Sequence, residues 1–125
     1  MNLIVLHLRY EYFDMGKNHL GEFEEVVMLT VALLKEKAYG FGIIEEIENR
    51  MNRSVSIGAM QTVLKRLEDK GYLISEFGEA TTSRGGRRRR YYRLTNIGVN
   101  ILEETQEQRM ELWNEVLKVG LSNAR

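Results

Sequence analysis

Helix-period apolar runs up to Lys70, β-rich runs on either side of a glycine- and arginine-rich tip, and a last helical run of about 24 residues predict an α-rich α+β fold. A two-stranded hairpin and a long final helix are its marks. The chain has 125 residues, 43% of them hydrophobic and 29% charged, which is ordinary globular composition. One compact domain is expected, and a disordered or low-complexity chain is excluded. No apolar run approaches the ~20 residues that a bilayer span needs. The N-terminus lacks a basic region followed by a cleavage site, and there is no cysteine. Together these point to a cytoplasmic protein without disulfides, thiol chemistry or a zinc knuckle, and with no membrane partner.

Residues 1–14 are amphipathic and aromatic but show neither a helix cap nor a period, so they are set apart as an N-terminal arm, either disordered or an upstream start of the gene. Residues 15–95 are expected to form the folded body and residues 96–125 a C-terminal helix. From about Leu20 to Lys37, the run LGEFEEVVMLTVALLKEK opens with acids that suit a helix dipole, then becomes apolar almost all round from Val26 to Leu34. Cover on more than one side is expected there. Tyr39, Ile43, Ile44, Ile47 and Met51 recur at helical spacing with Glu45, Glu46 and Glu48 outside, which predicts a second helix from Tyr39 to about Arg53. Ser56 suits the N-cap of a third, with Ile57, Met60, Leu64 and Leu67 as its buried stripe and Lys70-Gly71 as its end.

The period then changes. YLISEF (72–77) and RYYRLT (90–95) predict the two strands of a hairpin around an exposed tip from Gly78 to Arg89. Thr95 caps a final helix from about Asn96 to Val119, ~36 Å long at 1.5 Å per residue and too long for this body alone to cover. Ile97, Ile101 and Leu102 are the apolar residues of its first half, with Glu103, Glu104 and Glu107 outside. Leu112, Trp113, Val116, Leu117 and Val119 then widen into an apolar band before Gly120 stops the helix.

A formal net charge of zero conceals a segregation along the chain. Residues 1–49 carry 4 basic and 9 acidic side chains (−5), residues 50–93 carry 11 and 4 (+7), and residues 94–125 carry 3 and 5 (−2). Six of the middle cations, Arg84, Arg87, Arg88, Arg89, Arg90 and Arg93, fall within ten residues that include no acid. Such a run repels itself until a polyanion neutralises it. Three helices, a strand, a basic tip and a strand is also the element order of a winged helix-turn-helix. In that architecture the third helix enters the major groove of DNA, and the hairpin wing lies along the backbone or an adjacent minor groove. Opposite its apolar stripe the third helix presents Gly58, Ala59, Gln61, Thr62, Lys65 and Arg66. Gln61 can pair with adenine through N6 and N7, Thr62 can meet a thymine methyl or a phosphate, and Lys65 and Arg66 can neutralise phosphates. Behind the Ser56 cap, the small Gly58-Ala59 pair lets the free N–H groups of the helix start approach a phosphate. The candidate wing residues are Arg84, Gly85, Gly86, Arg87, Arg88, Arg89, Arg90 and Tyr92.

The segments LGEFEEVVML, AYGFGIIEEIE, SIGAMQTVLKRLEDKGYL and GEATTSRGGRRRRYYRLT resemble the PadR-like family of bacterial winged-helix transcriptional regulators, over about Leu20 to Leu102. The most specific parts are the wing, two glycines and a basic run ending in RYYRLT, and the third helix. The resemblance implies a homodimer that binds a two-fold, pseudo-palindromic operator on double-stranded DNA and usually represses transcription. It also implies that the C-terminal helix packs on the N-terminal helix of the partner, through Val27, Val31, Leu34, Leu112, Val116 and Leu117. The single last helix places the chain in the short branch of the family. Some members hold planar apolar effectors between paired aromatic side chains at the dimer interface, so Trp113 and Met110 become a candidate effector pocket. Members often carry Tyr where this chain has Gln61, and Pro where it has Asn96; the first difference puts the contact at that position in question.

Catalysis finds no support. His7 and His19 are isolated, no Ser-His-Asp or HExxH spacing occurs, and Gly85-Gly86 sits among arginines in a hairpin instead of following a strand as a phosphate loop. No metal or other cofactor is expected, since Glu103, Glu104 and Glu107 share one helix as a solvated face. Two other readings stay open: a small-molecule sensor using Trp113 with DNA binding secondary, and a protein-interaction module using the long helix.

Overall fold

A computed structural model describes residues 19–79 and 88–121. Residues 1–14 and the tip residues Arg84, Gly85, Gly86 and Arg87 lie outside the described residues. The elements are α1 (Glu22–Leu34), a 3₁₀ turn (Lys35–Lys37), α2 (Gly40–Met51), α3 (Ile57–Asp69), β1 (Leu73–Phe77), β2 (Arg90–Leu94) and α4 (Asn96–Val119).

Local chemistry sets most of the boundaries. The Glu24 carboxylate reaches back to accept the Gly21 N–H at 2.9 Å, satisfying one of the donors that every helix start leaves free. At α3 the Ser56 hydroxyl accepts the Ala59 N–H at 3.1 Å, and at α4 the Thr95 hydroxyl accepts the Gly98 N–H at 3.0 Å. The same Thr95 hydroxyl donates to the Gly71 carbonyl at 2.6 Å, which ties the start of α4 to the end of α3. α2 ends on Asn52 in the left-handed conformation (φ 50°), and the chain leaves α3 through Gly71 at φ +80°, where glycine carries no Cβ penalty. The two strands pair antiparallel, Leu73 opposite Leu94 and Phe77 opposite Arg90. Beside them the Tyr92 N–H donates to the Ala38 carbonyl at 2.8 Å and Tyr39 bridges to Tyr91, so the residues that lead into α2 are stitched to the wing.

One core holds these parts together. Val27, Met28, Ile43, Ile47, Met60, Leu64 and Leu67 interlock between the first three helices, closed by Tyr72 and Leu73 below the hairpin and by Leu102 from α4. The first turns of α4 therefore belong to the body. Its outer half does not, and Leu112, Trp113, Leu117 and Val119 stay exposed.

The packing corrects several expectations. Val27 and Val31, expected at a dimer interface, are 0% and 2% exposed because they face α2 and α3 within the same chain; Leu34 is half-buried against that core. Among the described residues α1 is covered on one side only, and Leu29 and Leu33 remain exposed on the other. Ile57, the first residue of the helix, leaves the α3 stripe to line the groove and stays 37% exposed, and Val63 takes a place in the stripe. Ile97 is exposed too, and the buried surface of that first turn is Gly98.

Candidate nucleic-acid interface

The buried stripe of α3, Met60, Val63, Leu64 and Leu67, turns the other side of the helix to solvent. Ser56, Gly58, Ala59, Gln61, Thr62, Lys65 and Arg66 are all exposed there. A Cβ at Gly58 would meet nothing within 4 Å, so the start of the helix is open to close approach. The Thr62 hydroxyl donates to the Gly58 carbonyl at 2.9 Å, which leaves its methyl and an oxygen lone pair for other contacts. Lys65 lies 3.4 Å from Asp69, an exposed i,i+4 pair of the kind that contributes little and that a phosphate can displace.

Gln61 and Lys65 line a groove of about 1130 Å³ that runs from α3 to the wing. Arg88, Arg89, Arg90 and Tyr92 form its other wall. Two of these cations are held by aromatic faces: the Arg89 guanidinium lies 4.1 Å from the Tyr39 ring centre and that of Arg90 4.6 Å from Phe77. Tyr39 is braced edge-on by Tyr91 at 5.8 Å. Arginines held on aromatic faces in this way lose less rotamer freedom on binding a ligand. Burial pushes the Tyr92 phenol above its usual 10.0 and the Glu68 carboxylate adds to the rise, against opposition from Arg90. The phenol is therefore a neutral O–H group near pH 7, able to donate to an anionic oxygen. Glu68 and Asp69 also line the groove at the C-terminal end of α3, engaged by Ser75 at 2.7 Å and by Lys65.

Sequence reasoning missed Phe41, Ile57 and Phe77 as groove residues. The available signal was the Gly40-Phe41-Gly42 triplet, an aromatic residue between two small ones and off the apolar stripe of α2.

The transcriptional regulator PadR-like family matches residues 28–104. The chain belongs to that family. A PadR-like transcription factor from Bacteroides fragilis has 31% sequence identity and a TM-score of 0.66, covering 89% of this chain and 99% of its own. A protein of Lysinibacillus sphaericus is 32% identical over 108 residues, 85% of this chain and 88% of the relative. Bacillus subtilis PadR, whose structure is of its complex with operator DNA, shares the fold at 18% identity and a TM-score of 0.56, over 67% of this chain and 47% of its own.

In this PadR-like regulator the outer half of α4 is the second notable surface. Leu112, Trp113 and Leu117 are 70%, 47% and 54% exposed, Met110 is exposed and Val116 half-buried. Trp113 and Met110 line neither the basic groove nor a smaller one of about 570 Å³ between the end of α1 and the back of the hairpin. Among the described residues no helix is long and apolar enough to cross a membrane.

Proposed function

We propose that the protein binds double-stranded DNA sequence-specifically, as a homodimer on a pseudo-palindromic operator, and represses transcription in the bacterial cytoplasm. The observation that carries this reading is the convergence of Gln61 and Lys65 of α3 with Arg88, Arg89, Arg90 and Tyr92 of the wing on one groove. The fold shared with Bacillus subtilis PadR, a protein whose structure holds operator DNA, supports it. In this mechanism two α3 helices enter successive major grooves ~34 Å apart, the wing arginines hold the backbone or minor groove, and paired α4 helices set the half-site spacing. A small apolar effector seated at Trp113 and Met110 would act by changing that spacing.

Fluorescence anisotropy on labelled DNA from the protein's own promoter, against a scrambled duplex and across a salt series, tests the reading. The expected result is tighter binding to promoter DNA with a steep salt dependence, and for Arg88→Ala a slope of log K against log salt that is shallower by about one. Equal, salt-insensitive binding to both duplexes overturns it. The 47% exposure of Trp113 favours one second reading, a small-molecule sensor with DNA binding secondary; that reading requires apolar aromatic compounds to quench Trp113 fluorescence tightly in the absence of DNA.

A further inference from the structure

Two large apolar side chains stand open on the basic side of the molecule. Phe41 is 66% exposed and Ile57 37%, although α2 and α3 bury the apolar residues of their inner stripes. They come from adjoining helix starts: a Cβ at Gly40 would sit 3.6 Å from Ile57 Cδ1, and both side chains line the groove shared by Gln61, Lys65 and the wing arginines. Phe77 and Tyr39 of the same groove are each covered by a guanidinium, whereas among the described residues no cation or ring covers Phe41.

Charge places these two residues more narrowly. The groove acids Glu68 and Asp69 lie 11 and 12 positions after Ile57, ~17 Å along a helix axis, and both are engaged within the chain. From Ser56 to Leu67 α3 and its cap carry no acid. A polyanion can therefore reach Ile57 without meeting a carboxylate of that helix, while on α2 the exposed Glu45 lies one turn beyond Phe41. An apolar group on the polyanion would find cover there, beside Gln61 and Lys65. In the major groove of double-stranded DNA that group is the C5 methyl of thymine. We propose that Phe41 and Ile57 read thymine methyl groups in the operator, adding apolar base readout to the polar contacts of α3. This rests on the DNA-binding function proposed above.

The test starts from duplexes selected out of a random pool by the full chain. Each thymine of a selected duplex is replaced in turn by deoxyuridine, which lacks only the methyl, and binding is followed by anisotropy. At a contacted position, deoxyuridine weakens wild-type binding about fourfold, the worth of one methylene-sized group removed from water. Phe41→Ala or Ile57→Ala then binds the thymine and deoxyuridine duplexes alike, while Phe41→Leu keeps part of the discrimination. Phe41 lies outside the core, so its variants keep the wild-type circular dichroism and their affinities compare directly. The proposal is overturned when no thymine position is sensitive, or when the deoxyuridine penalty persists unchanged in both alanine variants. A loss in Phe41→Ala that is equal on every duplex and unrelated to methyl content places the ring against sugar and phosphate, and overturns it as well. A pool that yields no enriched sequence overturns operator binding itself, an outcome distinct from enriched duplexes without methyl dependence.

Discussion

Glu24 shows how one side chain can serve a helix end and an ion pair together. It accepts the Gly21 N–H at the start of α1 and lies 2.8 Å from Lys70, with only 9% of its side chain exposed. Burial raises its pKa, but the Lys70 hydrogen bond and charge and the Gly21 N–H outweigh burial, and the carboxyl ends below its ordinary 4.5. A folded pKa below the unfolded one contributes stability that is fully present above the unfolded value and is lost as pH falls through the folded one. Glu24→Gln is therefore expected to cost about 1–2 kcal/mol near pH 7, with the gap from wild type closing below about pH 4.5; urea midpoints at a series of pH values check it. Gly98 is constrained in the opposite way, by lack of room. A Cβ there would run into the Tyr72 carbonyl oxygen, and that carbonyl already accepts the Thr95 N–H at 3.0 Å. Gly98→Ala must push α4 away from the hairpin base, and a loss of about 2–4 kcal/mol in chemical denaturation is expected despite the better helix propensity of alanine. An unchanged midpoint would mean that α4 can slide without cost.

At the level of elements the question is how α4 keeps its direction. Beyond Leu102 it is attached to the body by Glu25 of α1, whose carboxylate accepts from Gln106 and from Arg109, each at 2.8 Å. Glu25→Ala releases both, and amide exchange along residues 103–112 should quicken about threefold to fivefold, the size of a partly exposed ion pair, while α3 exchanges as before. The sequence made the helices and strands legible to within two or three residues at most ends, because caps such as Ser56 and Thr95, the left-handed Gly71 and the switch of period after it are local signals. The site was legible where charge marked it, in the arginine run and the polar face of α3. What stayed hidden depends on packing between distant segments. Val27 and Val31 look like interface residues until α2 and α3 are laid against them, and Ile57 looks like core although, as the first residue of α3, it stays 37% exposed. The Glu25 contacts join residues 81 and 84 positions apart, which no local pattern announces.

Among the described residues a basic groove from α3 to the wing and an apolar band on the outer half of α4 lie at separate places. The band has no cover from the described residues of its own chain, and Leu112 at 70%, Leu117 at 54% and Trp113 at 47% exposure are costly to leave in water. A second copy related by a two-fold axis would cover both bands, so any change in one is felt twice. Leu117→Asp should leave the fold intact, since the side chain is largely exposed in the single chain. It should weaken dimerisation by at least about 1.5 kcal/mol per site, or roughly a hundredfold for the pair. Sedimentation at micromolar concentration checks this, with dimer expected for wild type and monomer for the variant. A variant that remains dimeric would move the interface to another apolar surface, such as that of the exposed Leu29 and Leu33 on α1. The same variant separates the two surfaces by function. A monomer keeps the whole basic groove and should keep its affinity for scrambled DNA, while affinity for a two-half-site duplex falls, because the second half-site is no longer held at high effective concentration by the first.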